Sequence, residues 1–371
     1  MTRTTSLHAR HVALGAAFTD FGGWSMPVRY TSDLAEHHAV RTAAGLFDIS
    51  HMAEFEVAGA DAAAFLDHAL AGLVSVMRVG KAKYSLVLSE SGGIVDDVIV
   101  YRLAEDRYLV VANAGNRHAV AAAFRERGAA FADASVDDLT DRYSLIAVQG
   151  PAAESILAAT DGIAEVSVPW GEQGYYAWAS ARFAGEPLLV ARTGYTGEDG
   201  FELLVRNAAA VPLWDALLAA GAPLGLVPAG LAARDTLRLE AGMPLYGHEL
   251  SLDVQPAQAG LGRVAPLATK TADFVGRAAL EAGPPAGAPV LVGLVGEGRR
   301  AGRAGYAVLD ADGARVGEIT SGALSPTLGR PVAMAFVAPA VAAPGAELSI
   351  DVRGTRIPAT VTALPFYRRK K

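Results

Sequence analysis

Two adjacent carboxylates, Asp96 and Asp97, interrupt an otherwise apolar run, Gly92-Gly93-Ile94-Val95-Asp96-Asp97-Val98-Ile99-Val100-Tyr101. Side chains on a strand alternate between faces. Ile94, Asp96, Val98 and Val100 then share one face, and Val95, Asp97, Ile99 and Tyr101 share the other. Both faces are otherwise apolar, so at least one carboxylate stands where a core residue is expected. A buried carboxylate needs donors or a ligand, or its pKa rises. The plainer reading is that the pair caps the preceding turn and stays wet.

A second carboxylate stands out in Ala191-Arg192-Thr193-Gly194-Tyr195-Thr196-Gly197-Glu198-Asp199-Gly200-Phe201-Glu202-Leu203. Three glycines in seven residues suggest a loop with unusual backbone angles. Glu198 and Asp199 would repel a phosphate, so the loop is no anion cradle. Its bland reading is a hairpin loop between Leu188–Arg192 and Phe201–Val205. Glu202 then faces away from Phe201 and Leu203, placed to receive paired N–H donors.

Charges also enter an apolar helix face in Val227-Pro228-Ala229-Gly230-Leu231-Ala232-Ala233-Arg234-Asp235-Thr236-Leu237-Arg238-Leu239-Glu240-Ala241-Gly242. At about 100° per residue, Arg234 lies between Leu231 and Leu237, and Asp235 between Leu231 and Leu239. Such charges are rare on a buried face unless paired or bound. An Arg234–Asp235 structural network and a ligand-facing Arg234 both fit. At the far end, Pro365-Phe366-Tyr367 precedes four cations, Arg368-Arg369-Lys370-Lys371. They form a solvated tail, or the first of them folds back onto a ligand.

Much chemistry is excluded. The 371 residues include no Cys, which removes thiol nucleophiles, disulfides and Cys-type zinc or iron–sulfur sites. No Gly-x-Gly-x-x-Gly opens a helix after a strand, and no Gly-Lys-Ser/Thr closes a phosphate loop. No Gly-x-Ser-x-Gly elbow anchors a hydrolase triad. His37-His38 and His51-Met52-Ala53-Glu54 only hint at metal spacing, so no metal is expected and packing roles suit these histidines better. What remains is chemistry by carboxylates, arginines and a bound cofactor.

A net charge of -7 argues against nonspecific nucleic-acid binding. No apolar run approaches the roughly 20 residues that span a bilayer. The opening residues lack the apolar core of a secretory signal. A cytoplasmic globular protein is expected. Its length suits two or three domains.

Positioning these residues requires mixed elements. Thr31 or Ser32 caps a helix running through Ala44, and Asp61 opens another to Leu70. Tyr84–Leu88 and Ile94–Leu103 form a hairpin across Ser89–Gly93, followed by a strand over Arg107–Ala112 and a helix over Asn116–Arg127. Tyr143–Val148 then reads as a strand, and an Ala-rich helix follows it. The order is closer to α+β than to regular βαβ winding. Glu281–Pro289, with three prolines and two glycines, reads as a linker. Beyond it, the apolar runs Val290–Val295, Tyr306–Leu309 and Val332–Val337 read as a small all-β module. The expected division is therefore 1–280, a linker at 281–289, and 290–371.

Taken in order, these segments resemble the T-protein family of the glycine cleavage system, tetrahydrofolate-dependent aminomethyltransferases. The likeness runs through Phe21-Gly22-Gly23-Trp24-Ser25-Met26-Pro27, Phe47-Asp48-Ile49-Ser50-His51-Met52, Gly92–Asp97, Arg192–Glu202, Ala232 through Gly247, and Thr320-Ser321-Gly322 through Gly329. The resemblance implies two intertwined α+β subdomains and a C-terminal β-barrel, arranged around a central folate channel.

It also implies roles for residues. Glu202 would accept the pterin N–H and amine in parallel, with Tyr195 nearby. Arg234 and the terminal Arg368 would meet the anionic glutamate of folate. Tyr84, Tyr101, Asn113 and Met52 match positions lining the folate site. Asp97 matches an essential aspartate near folate N5 and N10. The implied reaction takes a methylene from an aminomethyl group on the lipoyl sulfur of the H-protein. Folate N5 attacks that carbon, ammonia leaves, and 5,10-methylenetetrahydrofolate forms. Functional association with the P- and L-proteins follows from the same resemblance. A carboxylate beside the reacting carbon stabilises an iminium-like centre or handles protons.

Rival readings fare worse. Flavin-linked oxidising relatives need several hundred further residues and a dinucleotide fingerprint. The folate-binding iron–sulfur assembly factors carry a Cys-containing signature. A free-standing folate-dependent demethylase of a small methylated substrate, or a non-catalytic folate-binding module, remains as the alternative.

Overall fold

The computed structural model describes residues 2–369. The chain forms two compact units that interleave in sequence. The residues up to Ala69 join Val74–Tyr84 and Val98–Arg234 in the first. Leu70–Leu73, Ser85–Asp97 and the described residues from Asp235 onward make the second. Helices and strands mix along the chain, as an α+β protein requires.

The first unit is built on a seven-stranded sheet, ordered Ile163–Ala164, Trp178–Phe183, Glu186–Ala191, Gly200–Arg206, Tyr143–Gln149, Ala44–Asp48, Leu226–Pro228. Only its last pairing, Leu226–Pro228 against Ala44–Leu46, is parallel. Phe201, Leu203 and Val205 alternate onto one face and pack with Ile146 and Val148. Trp214 and Leu217 of the helix Asn207–Gly221 and Ile156 of the helix Ala153–Ala159 close that core. Ser32 caps the helix Asp33–Thr42, its hydroxyl accepting from Ala35 N–H at 3.4 Å. This helix stops two residues short of Ala44, because Ala44 is already paired as a strand.

A five-stranded sheet follows the order Ala82–Leu88, Ile94–Ala104, Arg107–Ala112, Ala53–Ala58, Ser135–Asp138. The expected alternation holds along Ile94–Val100 and breaks at Tyr101, which is buried although it was expected on the face of Asp97. Ile94, Asp96, Val98 and Val100 are buried, whereas Val95, Asp97 and Ile99 are half-buried.

The second unit contains a closed six-stranded barrel, ordered Val290–Gly296, Pro331–Val337, Arg315–Leu324, Ala307–Leu309, Glu347–Val352, Thr355–Thr362. Closure leaves no free sheet edge. Leu294, Val308, Ile319, Ala335, Ile350 and Val361 fill its interior. Before it, Glu281 and Ala282 end the helix Arg277–Ala282, and the proline-rich residues have no regular structure. The helix expected to start near Pro228 begins at Leu231 and ends at Glu240, since Leu226–Pro228 pairs as a strand.

Candidate functional site

Glu202 lies in the strand Gly200–Arg206, directly opposite Ala191 on one side and Ala147 on the other. Both of those partners are alanines, and Glu202 itself is 8% exposed. Two hydroxyls converge on its Oε2: Thr193 Oγ1 donates at 2.5 Å and Tyr101 Oη at 3.4 Å. The same two hydroxyls lie 3.0 Å apart. Burial pushes the Glu202 carboxyl above its ordinary pKa. The Thr193 hydrogen bond, the Arg234 charge and the Tyr101 hydrogen bond oppose that shift. Tyr101, buried beside this carboxylate, is held well above an ordinary phenol, first by desolvation and then by the Glu202 charge.

Arg234 sits in the first turns of the helix Leu231–Glu240. Its guanidinium stacks 4.7 Å from the centre of the Tyr195 ring. Such stacking suits Arg because its planar cation is weakly hydrated. Tyr195 is carried by the loop between Ala191 and Gly200, and two arginines brace that loop through three ion pairs. Arg41 Nη1 meets Glu198 at 3.0 Å and also donates to the Thr196 carbonyl at 2.7 Å. Arg192 meets Asp199 at 2.5 Å and Glu154 at 2.9 Å. Glu198 and Asp199 therefore hold the loop's shape.

His51 is buried in the turn between Ala44–Asp48 and Ala53–Ala58, edge-on to Phe21 at 5.5 Å. Burial first, and the Arg234 charge second, lower its pKa to about 4. At neutral pH it is an uncharged imidazole beside a cation. No group of three or more His, Asp or Glu side chains gathers for a metal among the described residues.

The structure thus brings Glu202, Tyr101, Thr193, Arg234, Tyr195 and His51 into one neighbourhood of the first unit. Met52, Tyr84 and Asn113 are half-buried in that same unit.

In the second unit, Asp97 is half-buried and Asp96 fully buried. Tyr246 senses both: burial raises its pKa, and the charges of Asp96 and Asp97 raise it further. Asp235 pairs with Arg238 at 2.7 Å, and Arg238 also meets the buried Glu249 at 3.0 Å and Ser321 at 2.8 Å. The structural network expected for this helix therefore runs through Arg238. Glu240 accepts from Ser325 and Thr327, and its carbonyl accepts from Tyr367 N–H at 2.8 Å, which ties down the tail. Arg368 is exposed beyond that tie, while Arg369 is half-buried. Lys370 and Lys371 lie outside the described residues.

Sequence reasoning missed Thr193, His51 and Tyr246 as site residues, although all three fall inside its quoted motifs. Thr193 carried a usable signal, a hydroxyl in the glycine loop that follows the strand next to Glu202.

Comparison with known proteins gives one consistent result. Residues 7–269 match the GCVT N-terminal domain family, and residues 290–368 match the glycine cleavage T-protein C-terminal barrel domain. An aminomethyltransferase of Cutibacterium acnes is 56% identical over 370 residues, covering 99% of each chain. One from Streptomyces coelicolor is 55% identical, covering 100% of this chain and 98% of its own. The crystal structure of glycine cleavage system aminomethyltransferase T from Bartonella henselae superposes with a TM-score of 0.90. It is 38% identical, with full coverage of both chains.

Proposed function

Because this chain belongs to the glycine cleavage T-protein family of aminomethyltransferases, we propose that the neighbourhood of Glu202 and Arg234 receives its folate. The protein is an enzyme of glycine cleavage that transfers a one-carbon unit to tetrahydrofolate. The observation that carries the site assignment is the buried Glu202 carboxylate, whose Oε2 takes hydrogen bonds from two hydroxyls of the described residues.

Bound tetrahydrofolate supplies the two nitrogens that take up the methylene carbon. Glu202 Oε2 is held by Thr193 and Tyr101, so of the pterin's two adjacent N–H donors one falls on Oε1 and the other shares Oε2 with the two hydroxyls. Arg234, steadied on Tyr195, offers a guanidinium fork to a carboxylate of the folate glutamate. Neutral His51 adds no second cation there. Met52, Tyr84, Tyr101 and Asn113 supply walls. Arg368 is proposed as a second partner for the glutamate, and the burial of its neighbour makes Arg369 the control for that assignment. Asp97 is proposed to place its charge against the positive charge that develops on the transferred carbon.

The carbon donor is proposed to be an aminomethyl group on the lipoyl arm of the H-protein, with the P- and L-proteins as functional associates. The test is formation of methylenetetrahydrofolate from an aminomethylated lipoyl carrier, with dimethylglycine as the competing donor. Turnover only with dimethylglycine would establish a demethylase instead.

Arg234→Lys keeps the charge but loses the planar fork. Intact tetrahydrofolate is expected to bind about 1–2 kcal/mol more weakly, while a pterin lacking the glutamate loses much less. Calorimetric titration of both ligands checks this. Equal losses would mean that Arg234 serves only the packing on Tyr195.

A further inference from the structure

The loop that carries Thr193 and Tyr195 is wound around a single side chain, that of Gln149. Gln149 ends the strand Tyr143–Gln149, where its backbone pairs with Gly45 on one side and Gly200 on the other. It is 1% exposed. Both ends of its carboxamide are used by the loop. Nε2 donates to the Thr193 carbonyl at 3.0 Å, and Oε1 accepts from Thr196 Oγ1 at 2.9 Å.

Two glycines close against the same amide. A Cβ on Gly194 would lie 1.9 Å from Gln149 Oε1, and one on Gly200 would lie 2.4 Å from Nε2. No side chain fits at Gly194 unless the amide moves away, and at Gly200 the Val148 carbonyl, 2.7 Å from the added Cβ, blocks one as well. The loop therefore takes its path from the size of this side chain and from its having one donor and one acceptor. Thr193 and Tyr195 depend on that path, the first to reach Glu202 and the second to lie under Arg234.

We propose that Gln149 is a positioning residue for folate recognition, acting through Thr193 and Tyr195 on Glu202 and Arg234. The inference rests on the folate site proposed above. It assigns Gln149 no contact with substrate. A purely structural Gln149 would satisfy the polar groups of the loop and matter only to stability. The two roles differ in what they do to binding, because recognition groups must be held to within about half an ångström of their working geometry.

Two replacements separate them. Gln149→Met keeps the length and loses both hydrogen bonds. Gln149→Glu keeps the shape but turns an acceptor toward the Thr193 carbonyl. Each is expected to raise the KM and Kd for tetrahydrofolate by on the order of 10- to 100-fold. The kcat at saturating folate is expected to stay within about threefold, since no transition-state contact is lost. Thr193→Val should weaken binding as well. Combined with Gln149→Met, it should add little, because both act on the same carboxylate.

If Gln149→Met and Gln149→Glu both melt earlier yet bind folate like the parent, the proposal is overturned and Gln149 is structural only. Full additivity with Thr193→Val also overturns it. Should one variant fail to fold, the other and Thr196→Val, which removes the Oε1 contact together with the 3.3 Å bond that Glu198 N–H donates to the same hydroxyl, carry the same measurement. Glu202→Gln is measured in parallel. Unchanged folate binding in that variant removes the site assignment itself, whereas weakened binding there with normal binding in the Gln149 variants removes only this inference.

Discussion

Replacing Asp97 by Asn is expected to lower turnover by about 100-fold or more, the usual worth of one electrostatic contact made in the transition state, with little change in the KM for folate. Asn keeps the shape and most of the hydrogen-bonding reach, and Asp97 is only half-buried, so the fold should persist. What is lost is a negative charge, and its worth is greatest while positive charge builds on the carbon in transit. Interactions stronger in the transition state than in the ground state appear in kcat. Asp96→Asn is the companion variant. Its carboxylate points to the opposite, fully buried face of the same strand. That change should appear in the melting temperature far more than in turnover. If Asp96→Asn is the inactive variant and Asp97→Asn turns over normally, the catalytic assignment belongs to the other face.

Glu202→Gln is expected to weaken tetrahydrofolate binding by about 1.5–3 kcal/mol, the range for hydrogen bonds to a charged group. Gln keeps one acceptor for Thr193, so the local structure should survive while the charge and the second acceptor disappear. Titration calorimetry gives the number directly, and unchanged affinity would leave Glu202 a structural group. The pH dependence supplies an independent check. Burial has raised the Glu202 pKa, so its proton competes with the pterin donors at a pH above the ordinary carboxylate range. Folate affinity should therefore fall on acidification, starting at a higher pH than an exposed glutamate would dictate. Glu202→Gln should abolish that part of the profile.

Much of this was legible in the sequence. The alternation of Ile94 through Val100 gave the facing of both aspartates, because a strand's side chains repeat every two residues. Three barrel strands showed as apolar runs. The other three, Arg315–Leu324, Glu347–Val352 and Thr355–Thr362, alternate polar and apolar residues, since only one face of each points inward. They needed a search for period two instead of for apolar runs. The helix at Leu231 was placed early because Val227 and Pro228 extend the apolar pattern, yet they belong to an added parallel strand whose partner lies about 180 residues earlier. The same distance hid the donors of Glu202. Tyr101 is 101 residues away from it, and nothing local in either segment announces the other.

The interleaving of the two units has a consequence for synthesis. Residues Ser85–Asp97 belong with a unit whose remaining chain starts only at Asp235. At roughly 5–20 residues per second, the ribosome only begins to deliver that remainder some 7–30 s later. During this interval the hairpin tip, with Leu86, Val87, Leu88 and Ile94 all destined for full burial, waits without the rest of its unit. The nascent protein thus carries an unfinished apolar edge through the middle of its translation. The segment bearing Asp96 and Asp97 is among the parts most in need of a chaperone before the chain is complete.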